Sequence, residues 1–180
     1  SSTTIPDTNK DIEESTNCVT SSPLSDSDNW YFHIRTRDNA GNWNGSATHY
    51  GPFWIDTTGP DISWSGAATN QWYNSDQMVG WTLSDNGSGV AGFRQRWDNE
   101  PNYSDFLPYD SGYLMLFWSQ EEGQRWAQVK AKDNVGNERE HSRGWFGYDV
   151  TPPTNPSITI NGGAQYTNDP NVTLSLSASD

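Results

Sequence analysis

The chain is poor in the groups that most often carry chemistry. It has one cysteine, Cys18, and 3 histidines in 180 residues, so no intrachain disulfide framework and no cysteine-rich metal site can form. Stability has to come from packing or from bound ions. Basic residues are scarce as well. The 10 Lys and Arg against 23 Asp and Glu leave a formal net charge of -13, which repels phosphate backbones and argues against nucleic-acid partners. No apolar stretch approaches the roughly 20 residues that cross a bilayer as a helix. The longest run is Tyr113 to Trp118, so no membrane insertion is expected in this segment. No basic stretch followed by an apolar one opens the chain, which suggests either a processed protein or an internal piece of a longer one.

Catalytic patterns are equally thin. There is no Gly-x-Ser-x-Gly elbow and no His-Glu-x-x-His zinc motif, and His33, His49 and His141 stand apart in the sequence. Acidic pairs occur at Glu13-Glu14, Glu121-Glu122 and Glu138/Glu140. Neighbours on a strand point to opposite faces, and Glu121-Glu122 precedes Gly123 in an expected hairpin loop, so these pairs read as solvated positions rather than as a glycosidase dyad. The chain is therefore read as a non-enzyme.

What the sequence does hold is aromatic residues: 10 Trp, and 13% of all positions aromatic, against a mean hydropathy of -0.89. Disordered chains lack such rings, so packed cores are expected. The sequence also repeats itself. Trp30 to Asn42 aligns without a gap on Arg125 to Asn137 at an offset of 95 residues, Phe53 to Pro60 aligns on Phe146 to Pro153 at 93, and Tyr73 to Leu83 aligns on Tyr166 to Leu176 at 93. A period of this size means a string of like domains, each the size of a small β-sandwich, since solenoid repeats are much shorter.

Within the unit, residues alternate as in half-buried strands. Phe32, Ile34 and Thr36 answer Ala127, Val129 and Ala131 on the face expected to turn inward, while Tyr31, His33, Arg35 and Arg37 answer Trp126, Gln128, Lys130 and Lys132 outside. Val79, Trp81, Leu83, Phe93, Val129 and Phe146 are the expected core of the middle unit, a sandwich of about seven strands around one core. Asp38-Asn-Ala-Gly-Asn42 and Asp133-Asn-Val-Gly-Asn137 read as hairpin turns in which Asp accepts backbone N–H bonds and Gly takes a left-handed conformation. Asp56 to Pro60 and Asp149 to Pro153 read as boundaries, because Pro ends strand pairing. The domain reading is residues 1–56 as the C-terminal part of one repeat, 57–149 as a complete repeat and 150–180 as the N-terminal part of the next.

The repeated DNAGN-type turns, the "DTTGP" and "DVTPP" unit starts and Ser88-Gly-Val90 before a strand together resemble the bacterial immunoglobulin-like repeats, related to fibronectin type III sandwiches, of long extracellular proteins. The resemblance implies an all-β chain of tandem immunoglobulin-like β-sandwich domains, located extracellularly or on the cell surface. Such repeats act as spacers, adhesive stalks or filament subunits, or accompany secreted hydrolases as accessory modules. Their partners are then neighbouring repeats or identical chains, and surface glycans.

Three kinds of site remain as candidates. Hard cations take several carboxylate and carbonyl oxygens, and Asp38, Asp56, Asp85 and Asp133 are the calcium candidates, although no EF-hand loop is present. Asn44, Asn86, Asn102 and Asn171 head Asn-x-Ser/Thr sequons and are the glycosylation candidates. Indole rings can stack on sugar faces, and for the alternative function, a carbohydrate-binding accessory module, Trp43 and Trp118 are the candidates. The ends also carry an expectation. By the 95-residue offset Ser1 answers Arg96, and Asp180 is read as the counterpart of Asp85, which fits a segment of a continuous array, or a chain whose residues 150–180 pair with residues 1–56 of the next copy.

Overall fold

The computed structural model describes residues 4–7, 9, 11–12, 18–98, 100–109, 114–117 and 122–180, with backbone alone at 114–117. Trp118, Glu13, Glu14 and Glu121 lie outside the described residues. The described chain is built of β-strands, with one short 3-10 turn at Asn161–Gly163 and no helix long and apolar enough to cross a membrane.

The strands are β1 (Ser27–Ile34), β2 (Thr48–Ile55), β3 (Asp61–Gly66), β4 (Gln71–Tyr73), β5 (Met78–Ser84), β6 (Val90–Trp97), β7 (Leu107–Pro108), β8 (Leu114–Phe117), β9 (Gly123–Asp133), β10 (Glu138–Tyr148), β11 (Thr154–Ile160) and β12 (Leu174–Ser179). Between residues 57 and 149 they form two sheets, ordered β3-β5-β8 and β4-β10-β9-β6-β7. All pairings there are antiparallel except β4 with β10. In β9 the period-two pattern is complete: Ala127, Val129, Ala131 and Asp133 are buried while the residues between them are half-buried.

The six expected core residues of the middle unit are all buried. Trp81 and Leu83 from one sheet and Phe93, Val129 and Ala131 from the other form one cluster, and Val79, Ala127 and Phe146 form a second. The two sheets therefore pack face to face. The single expected core is in fact two clusters bridged by Trp64, which packs against both. Among the described residues the middle unit has eight strands rather than about seven, with the two-residue β7 pairing on β6.

Two flanking two-stranded ribbons repeat individual rungs of this unit. Trp30 pairs with Phe53, Phe32 with Tyr50, His33 with His49 and Ile34 with Thr48. Arg125 with Phe146, Ala127 with Arg143, Gln128 with Ser142 and Val129 with His141 are the same rungs in β9 and β10, down to the irregularity between the first and second of them. At the other end, Ile158–Leu176 and Ile160–Leu174 reproduce the rungs Ile62–Leu83 and Trp64–Trp81.

The expected burial of Phe32, Ile34 and Thr36 is not found. All three are exposed, Phe32 at 48% and Ile34 at 45%, whereas Ala127 and Val129 are at 0%. The physical reason is that β1 and β2 form a two-stranded ribbon with no opposing sheet among the described residues. The last strand also runs later than the sequence suggests, Leu174–Ser179 instead of Val172 to Leu176, because its pairing on β11 begins at Leu174 opposite Ile160.

Candidate functional site: three loops converging on an acidic cluster

Asp133 closes β9 and folds the next turn around itself. Its Oδ1 accepts the N–H groups of Val135, Gly136 and Asn137 at 3.0, 2.6 and 2.8 Å, and its Oδ2 accepts Asn137 Nδ2 at 2.7 Å. With 1% exposure it is the buried charged residue among the described residues, and this shell of donors is what makes the burial tolerable. Asp85 organises the loop from β5 to β6 in the same manner, its Oδ1 accepting from Gly87 N at 3.0 Å and Gly89 N at 2.8 Å. Asp56 follows β2, accepting from Thr58 N through Oδ1 at 3.1 Å and from Ser88 N through Oδ2 at 2.6 Å. The Ser88 hydroxyl beside Asp56, and then the Ser88 N–H, hold its carboxyl below the ordinary value. That hydroxyl oxygen is itself buried and has no partner of hydrogen-bond geometry.

These three carboxylates, from three separate loops, each bring one oxygen within 4.8 Å of the others. A calcium ion sits about 2.3–2.6 Å from each ligand oxygen, so two ligands of one ion lie at most about 5 Å apart, a condition the three oxygens meet. The donor set, carboxylate oxygens only, fits a hard cation. Two further contacts shape the cluster. Gly87 leaves room for Asp56, since a Cβ there would lie 2.4 Å from Asp56 Cγ. Asn137 Nδ2 donates to the Asp56 carbonyl at 3.0 Å, tying the 56–60 linker to the β9–β10 turn.

Asp38, the fourth calcium candidate, is not brought into this cluster. It makes the same kind of turn between β1 and β2, with Asn42 N donating to Oδ1 at 2.8 Å and Asn42 Nδ2 to Oδ2 at 2.9 Å. The Asn42 side-chain amide, first among several donors, lowers its pKa. It is the sequence counterpart of Asp133 at the 95-residue offset and lies in the β1–β2 connection, apart from the three-carboxylate cluster.

Each linker is also held by an acid that directly precedes a strand. Asp26 Oδ1, before β1, accepts Thr57 N at 3.0 Å and Thr57 Oγ1 at 2.7 Å. Glu122 Oε1, before β9, accepts Val150 N at 3.0 Å and Thr151 Oγ1 at 2.6 Å. The Thr151 hydroxyl, then the Val150 N–H, hold Glu122 below the ordinary carboxylate value. Sequence reasoning read Glu122 only as a solvated turn position and Ser88 only as part of a segment leading into a strand, and it gave Asp26 and Gly87 no role. The recurring acid just ahead of the Trp30 and Arg125 segments was the available signal.

The remaining candidates are placed as follows. Asn44, Asn86, Asn102 and Asn171 are all exposed. Trp43 is half-buried, with the guanidinium groups of Arg35 and Arg37 at 5.6 and 5.8 Å from its ring centroid, so cations already occupy the neighbourhood of its ring. Trp118 lies outside the described residues. Compared with family models and with curated proteins, the sequence has no match.

Proposed function

We propose that this chain is a stretch of a tandem array of immunoglobulin-like sandwiches that works as a spacer or adhesive stalk on an extracellular or cell-surface protein, and not as an enzyme. The observation that carries this reading is the repetition of strand register on both sides of the middle unit. The rungs Ile158–Leu176 and Ile160–Leu174 repeat Ile62–Leu83 and Trp64–Trp81, and β1–β2 repeat β9–β10. Like units in series gain reach with each addition, and none of them needs a catalytic site.

In this reading the partners are neighbouring repeats. The apolar faces that carry Phe32 and Ile34 at one end and Ile158 and Leu176 at the other, all 45% exposed or more, are covered by complementary strands of adjoining units, as their counterparts are in the middle unit. Calcium at Asp56, Asp85 and Asp133 stiffens the passage from β2 into β3 by cross-linking the linker to two loops of the next sandwich. Small-angle scattering and electron microscopy of the native assembly test the reading. The 11-residue β9 at about 3.3 Å per residue predicts a rod with an axial repeat of roughly 35–45 Å. A compact particle without such a period would count against it.

A further inference from the structure

The outer face of the five-stranded sheet carries three indoles on three adjacent strands. Trp72 on β4 pairs with Gly147 of β10, and Trp126 on β9 pairs with Gly144. Gly147 pairs with Gln124 and Gly144 with Trp126, and Gln124 and Trp126 lie two residues apart, so both glycines and both indoles share the face opposite Ala127 and Phe146. The glycines make room for the rings. A Cβ on Gly147 would lie 2.5 Å from Trp72 Cδ2, and one on Gly144 would lie 2.8 Å from Trp126 Cδ1. Trp145, between them, meets Trp72 with ring centroids 5.8 Å apart and planes tilted by 58°.

One part of this arrangement is structural. Tyr31 and Gly51 stand at the positions of Trp126 and Gly144, and a Cβ on Gly51 would lie 2.9 Å from Tyr31 Cδ1, so an aromatic ring shielding this glycine is a feature of the repeat. The pair Trp72–Trp145 is not. Pro52 stands in place of Trp145 and Gln165 in place of Trp72, and the β1–β2 register is kept without them. Shielding Gly147 also does not require a ring left 56% exposed, as Trp72 is. Trp126 is exposed at 37%, and the two indoles stand on strands two spacings apart, about 10 Å.

We propose that Trp72, Trp145 and Trp126 form a stacking platform for a neutral polysaccharide. Flat apolar ring faces match the C–H faces of pyranose rings, and the exposed amide of Gln124, beside Trp126 on the same face, supplies a donor and an acceptor for sugar hydroxyls. The net charge of -13 disfavours anionic polymers. The platform stands apart from the acidic cluster and from the spacer function. It relocates sugar recognition from Trp43, in the β1–β2 connection with its ring beside two guanidinium groups, to the outer face of the five-stranded sheet.

Affinity electrophoresis of the full chain through gels containing hydroxyethylcellulose, glucomannan, xyloglucan or laminarin, with alginate and polygalacturonate as anionic arms, tests this. Retardation by at least one neutral polymer is expected. Trp72→Ala, on the three-residue edge strand β4, weakens it about tenfold or more, Trp72→Phe restores part of it, and Trp43→Ala leaves it unchanged. Thermal midpoints show that the variants are folded, and Trp145→Ala provides a second variant if Trp72→Ala is not. No retardation in any neutral gel, retardation in the anionic gels only, or equal retardation of the wild type and a folded Trp72→Ala or Trp145→Ala variant overturns the proposal.

Discussion

Trp81 and Phe93 meet edge to face across the two sheets, ring centroids 5.6 Å apart and planes at 75°, with no surface exposed on either. Trp64 joins them from β3, 5.8 Å from Trp81, so this ring stack is where the two sheets of the middle unit are locked together. Trp81→Ala is expected to destabilise the chain by about 3–5 kcal/mol, the range for emptying a large buried aromatic site. Chemical denaturation measures it, and a loss below about 1 kcal/mol would mean that the site is far less tightly packed than its burial implies.

Calcium should stabilise the chain through the three-loop cluster. At an ion concentration about 100 times the dissociation constant, linkage predicts about 2.7 kcal/mol of added stability, read as a rise in melting temperature that chelator reverses. Asp85→Asn and Gly87→Ala should abolish the rise, the second by pushing Asp56 aside. Asp38→Asn should leave it intact. An identical midpoint with calcium and with excess chelator would remove the ion from the proposed function.

Glu122 makes the linker after β10 sensitive to acid. Its pKa is depressed from 4.5 by the Thr151 hydroxyl and the Val150 N–H. Its contribution is therefore present above pH 4.5 and is lost as the pH falls through the lower folded value. Limited proteolysis near residues 150–153 should speed up in acid for the wild type. Glu122→Gln should show the faster rate already at neutral pH, and equal rates for the two proteins at neutral pH would argue against the clamp.

Tyr103 should titrate late. Burial, and then the neighbouring Glu140 carboxylate, push its phenol up to about 12, while Arg96 lies over the ring at 4.6 Å. Because the folded value lies above the unfolded one, near 10, stability is fully held below pH 10 and falls as the pH rises towards 12. Absorbance titration at alkaline pH should show a phenol ionising near pH 12, and Tyr103→Phe should remove that step.

Much of this was written in local sequence. Alternation in Ala127, Val129 and Ala131 gave the buried face of β9, and the Asp-Asn-x-Gly-Asn spacing gave both turns, since their hydrogen bonds span only a few residues. The repeat offsets likewise foretold the rungs of β1 with β2, but not those of β11, where Ile160 rather than Ser157 takes the place of Trp64. Asp56, Asp85 and Asp133 could be singled out as candidates, because acidic residues at turns and linkers are visible one at a time. That these three meet and Asp38 stands apart depended on which loops the two sheets carry to the same end, a matter of long-range packing that residue spacing does not encode. Exposure was likewise decided in three dimensions. Phe32 and Ile34 occupy the positions of Ala127 and Val129 yet face outward, because burial of a strand face requires an opposing sheet. Trp72, Trp126 and Trp145 lie 19 to 73 residues apart in sequence, and only the order β4-β10-β9 places them side by side.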